Sequence, residues 1–209
     1  MEPRERGRGA YRILWIAALA AIGVQLAMAR EPPHRPLSSI LAWEEYEWEA
    51  GGFRLECPAG WRRQQASGYG RFGQEMLFSQ SANNRARVRR VPLSGGERSL
   101  VLREDEGDQV LLGMHSSHVR ALQNRLPGLE SSEAEIGQMA GCFSVCSDVS
   151  YTKPGALGGE GSKIVGRCYT LMSRNDEFWL DFFGEEASWE GVLEPAYRRM
   201  IESFEVTDR

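Results

Sequence analysis

Four cysteines, three histidines and a run of alternating arginines are the groups in this chain with chemistry to offer. Cys57, Cys142, Cys146 and Cys168 raise three possibilities: metal binding, thiol redox work and disulfide bonding. Structural zinc takes a close Cys-x2-Cys or similar pair on a turn, whereas Cys142-x3-Cys146 places the two four apart within an alternating segment, so no metal site is expected. Thioredoxin-like redox chemistry takes Cys-x-x-Cys at a helix start, a spacing the chain lacks. Disulfides remain. Cys142 and Cys146 stand about 13 Å apart on an extended strand and cannot bridge each other. Cys57 with Cys142 is open, because nothing local fixes it.

His115 and His118 are three apart on a predicted helix and share a face, with His115 inside its apolar stripe. A hydrogen-bonded core histidine is the plain reading. Nucleophilic catalysis needs a Ser or Cys beside an oriented base, and no Gly-x-Ser-x-Gly elbow is present. His34 falls in a proline-rich stretch. The glycine clusters Ser94-Gly95-Gly96 and Gly158-Gly159-Glu160-Gly161 read as turns, since neither is followed directly by the lysine of a nucleotide cradle. No catalytic residue, metal or cofactor site is therefore expected. Arg85, Arg87 and Arg89 alternate with Ala86 and Val88, which puts three guanidinium groups on one side of a strand. A solvated face is expected there, with anion binding as the alternative.

The N-terminus speaks to location. Arg4, Arg6, Arg8 and Arg12 precede a charge-free run from Ile13 to Ala29, which closes on Ala27-Met28-Ala29. A basic start, an apolar run and small residues at these two positions form a secretory signal with cleavage after Ala29. The alternative is an uncleaved anchor, since seventeen residues is the short edge of what spans a bilayer core about 30 Å thick. Either way the domain is expected outside the cytoplasm, in the periplasm or cell envelope, exported or tethered to the inner membrane by residues 13–29. No cysteine precedes Cys57, which leaves no lipid attachment site just after the apolar run. Losing residues 1–29 removes four Arg and two Glu, leaving 21 basic against 27 acidic residues, net −6. That balance argues against a nucleic-acid partner.

These groups need a frame, and the chain divides into residues 1–29, a linker at 30–50 and one domain at 51–207. The linker holds three prolines, then Trp43, Tyr46 and Trp48 among glutamates, and is expected to order only partly against the domain. Phe53–Cys57 alternates as a strand and stops at Pro58-Ala59-Gly60-Trp61. Gly68–Gln80, Arg85–Leu93 and, more weakly, Ser99–Arg103 are further strands. Leu112, His115, Val119, Leu122 and Leu126 recur at helical spacing after Asp108.

In the last third, Phe143, Val145, Val149 and Tyr151 alternate with Ser144, Asp148 and Ser150. Folding about the 154–161 loop sets Val145 opposite Tyr169, Phe143 opposite Leu171 and Val149 opposite Val165. A second turn at Asn175-Asp176 sets Leu171 against Leu180 and Tyr169 against Phe182. This register puts Cys146 directly opposite Cys168, where Cα separations of about 4.5 to 5.5 Å suit a disulfide. The other face carries Met172, Trp179 and Phe183 and must be covered. Leu193, Ala196, Tyr197, Met200, Ile201 and Phe204 supply an amphipathic helix, which Pro195 confines to a start near Glu194. The fold class is α+β, an antiparallel β-sheet with helices packed on it.

A strand ending Phe53-Arg54-Leu55-Glu56-Cys57-Pro58-Ala59-Gly60-Trp61, a central helix, an antiparallel meander and a helix ending Ile201-Glu202-Ser203-Phe204 together resemble the PsbP and Mog-like superfamily over about residues 51–207. The resemblance implies an α/β/α sandwich and, for a bacterial envelope member, no known activity. It carries over no functional residue. The leading reading is a non-enzymatic protein-binding or assembly module of unknown partner. The alternatives are a small exported hydrolase or thiol enzyme working through His115 or a free cysteine, and a carrier of lipid or small ligand between sheet and helix.

Overall fold

The computed structural model describes residues 42–66, 74–94, 107–155 and 159–207. The signal segment with Ala27 and Ala29, the possible anchor at 13–29, most of the 30–50 linker and the strand candidate Ser99–Arg103 lie outside the described residues. Among the described residues no helix is long and apolar enough to cross a membrane.

Strand β1 (Trp43–Trp48), a 3-10 turn (Glu49–Gly51) and β2 (Phe53–Pro58) come first, followed by β3 (Arg62–Ala66), β4 (Gln74–Ser79) and β5 (Arg85–Pro92). Helix α1 (Gly107–Arg125) then leads to β6 (Glu130–Ser131), β7 (Glu135–Met139), β8 (Cys142–Lys153), β9 (Ser162–Met172) and β10 (Asp176–Glu185). A helical segment closes the fold as α2 (Glu186–Ser188), a π turn (Trp189–Leu193) and α3 (Glu194–Glu202), before the short β11 (Glu205–Val206). The main antiparallel sheet runs β3-β4-β5-β10-β9-β8-β6, with β7 also paired to β8, and β1-β2-β11 form a small second sheet. Trp43–Trp48, in the linker by sequence, pairs with β2 along its whole length.

Alternation along the strands divides the main sheet into two faces. One carries Met76, Phe78, Ala86, Val88, Leu171, Phe178, Leu180 and Phe182, and it meets Phe53 and Leu55 of β2 and Tyr197, Met200 and Phe204 at the C-terminal end. Tyr197 donates its hydroxyl proton to the Phe183 carbonyl at 2.7 Å, so its one polar atom is satisfied in this core. Leu193 approaches so closely that a Cβ on Gly184 would lie 2.1 Å from its Cδ1, so any side chain there would force Leu193 to shift. Helix α3 starts at Glu194 with Pro195 in its first turn, where the missing N–H costs nothing.

The register of the meander differs from expectation. β8 sets Cys146 opposite Tyr169 and Val145 opposite Thr170, a slip of one residue. β10 sets Leu180 opposite Tyr169, a slip of two, because the turn is centred on Arg174-Asn175 and not on Asn175-Asp176, with the Ser173 N–H donating to the Asp176 carbonyl. The two-residue slip keeps the faces and leaves Tyr169 and Phe182 as edge-to-face neighbours at 6.0 Å. The one-residue slip flips β8. Apolar matching within the hairpin was not the deciding term, because α1 brings polar groups that satisfy Ser147 and Thr170 on the other face.

This overturns the Cys146–Cys168 bridge. Cys168 lies opposite Ser147, so the two cysteines project from opposite faces of the sheet and both are free thiols. Burial, and then the negative charge of Asp181, push the Cys168 thiol well above its usual range. Iodoacetamide at neutral pH is expected to leave Cys168 unmodified in the folded protein and to alkylate it once urea is added without reductant. Peptide mass mapping reads the result, and a Cys146–Cys168 linked peptide would contradict the register.

Candidate functional site

The second face of the main sheet lies under α1, and it is there that the chemistry-bearing residues meet. Helical spacing aims His115 and His118 at the sheet together with Leu111, Val119 and Leu122. Strand alternation presents Ser147 from β8, Thr170 from β9, Asp181 from β10 and Arg87 from β5 on this same face. Ser147 and His115 are only 3% and 2% exposed, and His118, Thr170 and Asp181 are fully enclosed.

These side chains form a continuous relay. His115 contacts Ser147 Oγ through Nε2 and Thr170 Oγ1 through Nδ1, each at 3.0 Å. His118 contacts the same Thr170 oxygen through Nδ1 at 3.0 Å and Asp181 Oδ1 through Nε2 at 2.7 Å. Asp181 in turn accepts from Arg87 Nε at 2.6 Å and from its terminal nitrogen. Arg87 also lies 3.6 Å from Glu75, whose carboxylate accepts from Arg89 Nε at 3.0 Å. The His118 ring stacks on Trp179 at 4.5 Å, and the Arg89 guanidinium sits 5.3 Å from that ring's centre.

The carboxylate sets the direction of every bond in the relay. Asp181 only accepts, so His118 Nε2 carries the proton; with neutral rings, His118 Nδ1 then accepts from the Thr170 hydroxyl. Thr170 Oγ1 has spent its proton and accepts from His115 Nδ1–H, which leaves His115 Nε2 to accept from Ser147. Burial, and then the neighbouring His118 ring, lower the His115 pKa to about 4, which favours the neutral ring this pattern requires. Burial opposes ionisation of Asp181, yet the charge of Arg87 and contact with His118 outweigh it and hold this carboxyl well below the usual range.

Ser147 and His115 have the polarity of a nucleophile and its base, but both are sealed beneath α1, so the arrangement holds the helix to the sheet. His115 is thus a hydrogen-bonded core histidine. The expectation of three arginines on one side of β5 holds, but the side is not solvated: Arg87 is buried and Arg89 is half-buried. Asp181, Thr170, Ser147 and Glu75 were not singled out by sequence. Only Asp181 left a signal, as one acid within Phe178-Trp179-Leu180-Asp181-Phe182-Phe183. Among the described residues, no group of His, Cys, Asp and Glu is arranged to hold a metal.

The fold as a whole matches a solved structure. The solution structure of cyanobacterial PsbP (CyanoP) from Synechocystis sp. PCC 6803 superposes with a TM-score of 0.59 at 14% identity, over 79% of this chain and 92% of that one. The fold is PsbP-like. LpqN of Mycobacterium tuberculosis, described as involved in cell envelope biogenesis, gives a TM-score of 0.48 at 13% identity over 85% of this chain and 100% of that one. The Saccharomyces cerevisiae Ran-binding protein Mog1p gives 0.46 at 12% identity over 80% and 96%. No protein-family model matches the sequence, and no curated protein matches it. At such identities a PsbP-like likeness speaks to fold, and function has to be argued from surfaces and sites.

Proposed function

We propose that this chain is an exported or membrane-tethered envelope protein whose PsbP-like domain is a non-enzymatic module that binds or helps assemble another protein. The observation that carries this reading is one apolar patch. Phe143 and Ile136, 58% and 47% exposed, are the exposed large apolar side chains among the described residues. They are diagonal neighbours on the β7–β8 pair, since Phe143 lies opposite Gln138 and Ile136 opposite Val145. The groups of catalytic type, by contrast, are spent on one another under α1.

The sheet edge beside the patch is broken between β6 and β7 and carries Glu130, Glu133 and Glu135. A short, charged, interrupted edge deters strand addition, so the partner is engaged through side chains, and basic residues around its own apolar contact would complement these glutamates. Export rests on the sequence, through the Ile13–Ala29 run and the Ala27-x-Ala29 motif.

Crosslinking in the native host tests the reading. Phe143→Ser with Ile136→Ser is expected to reduce capture of the wild-type partner about tenfold or more while leaving the melting temperature nearly unchanged, as for the anchors of an interface. Undiminished capture by the double variant would refute it. The intact mass of the recovered protein reports in the same experiment whether residues 1–29 have been removed.

A further inference from the structure

Beyond the relay, at the far end of α1, a recess of about 220 Å³ opens between the last turn of the helix, strands β4 and β5, and Phe183 of β10. Its polar lining is three arginines, Arg85, Arg87 and Arg125, against the single carboxylate of Glu75. That carboxylate is already engaged by Arg89 at 3.0 Å. Arg87 is pinned by Asp181, which fixes the direction of its remaining N–H groups. The Arg85 guanidinium lies 5.5 Å from the centre of the Phe183 ring. Arg125 has no ion-pair partner among the described residues. Arg125 keeps an exposed side chain, and partial burial, and then the charge of Arg87, pull its pKa down. In a chain that is net −6 beyond residue 29, this gathering of positive charge runs against the overall balance.

We infer that this recess binds a small organic oxyanion, a carboxylate or phosphate carried on a short apolar stem. The headgroup is met by Arg125, Arg87 and Arg85, whose planar forks suit two-oxygen acceptors. Leu77, Leu122 and Leu126 supply the wall for the stem. The volume is about that of seven waters at roughly 30 Å³ each, which limits the ligand to a headgroup and a few carbons. Such a headgroup can belong to a free organic acid or to a lipid. The inference does not depend on the Phe143 surface, which lies beside the cluster of Leu111, Val145 and Met172.

The test titrates the protein, as recovered from its host, with hexanoate, with inorganic phosphate and with phosphatidylglycerol vesicles at low and high salt. Wild type is expected to bind hexanoate, less tightly as salt rises, and Arg125→Gln and Arg85→Gln are each expected to weaken binding about tenfold or more, the worth of one charge-assisted hydrogen bond. Vesicle binding that both variants lose, without hexanoate or phosphate binding, assigns the same site to a lipid headgroup. Equal affinity of wild type and Arg125→Gln for all three probes overturns the inference. The Phe143→Ser, Ile136→Ser variant should still bind hexanoate, so failure here and failure of the partner reading are separable.

Discussion

Asp181→Asn is expected to lower the free energy of unfolding by about 3 to 5 kcal/mol, the largest effect of any single substitution considered. The residue is wholly enclosed, accepts from both Arg87 and His118, and has no route to water. Asparagine keeps the shape and removes the charge, which leaves Arg87 buried with only the more distant Glu75 at 3.6 Å. Urea unfolding measures the loss, and an unchanged m-value would show that the folded state stays compact. Pairing Asp181→Leu with Arg87→Met is expected to recover part of it, because an apolar pair of similar volume needs no compensation. A cost below about 1 kcal/mol for Asp181→Asn would mean that solvent reaches the site.

The second large effect is on pH dependence. Below its usual value of 6.5 the unfolded chain protonates His115, whereas the folded chain resists this down to about 4. The unfolded state therefore binds more protons in that window, and stability falls as the pH drops from 6.5 to about 4, by a total of about 3 kcal/mol, then levels off for this group. Asp181 takes over below its usual value of 3.8, since its folded-state carboxyl ionises at lower pH still and its contribution is lost as protons reach it. Equilibrium unfolding from pH 4 to 7.5 checks the first stage. His115→Gln should show a lower but flatter profile in that window; a slope equal to wild type would assign the titration to another group.

Much of this architecture was legible in the chain because period and burial speak directly. His115, His118, Val119 and Leu122 recur as one face of a helix, although Leu111 and not the expected Leu112 is buried beside them, and Leu180 and Phe182 recur as one face of a strand. The β8 register was not legible. Matching apolar to apolar inside the hairpin took no account of a third element, and α1 satisfies Ser147 and Thr170 where a two-strand argument would turn them toward water. The same omission produced the cysteine pairing and hid the partners of His115. The relay draws on four strands and a helix spread over nearly half of the chain, so no local spacing announces it.

The pairing of β5 with β10 has a consequence for how the molecule assembles. The main sheet is two ribbons, β3-β4-β5 and β8-β9-β10, each closed by neighbours in sequence and joined to the other at that one seam. Docking the ribbons brings together segments about ninety residues apart, which makes the seam the entropically demanding step. Arginine at every second position of β5 means that a slide of two residues would still offer Asp181 a guanidinium, so charge alone cannot choose the alignment. Packing can contribute: Phe182 faces Ala86, both buried, in the native alignment and would face Val88 or Asn84 after such a slide. The pairing of that buried ring with a small alanine favours the native position.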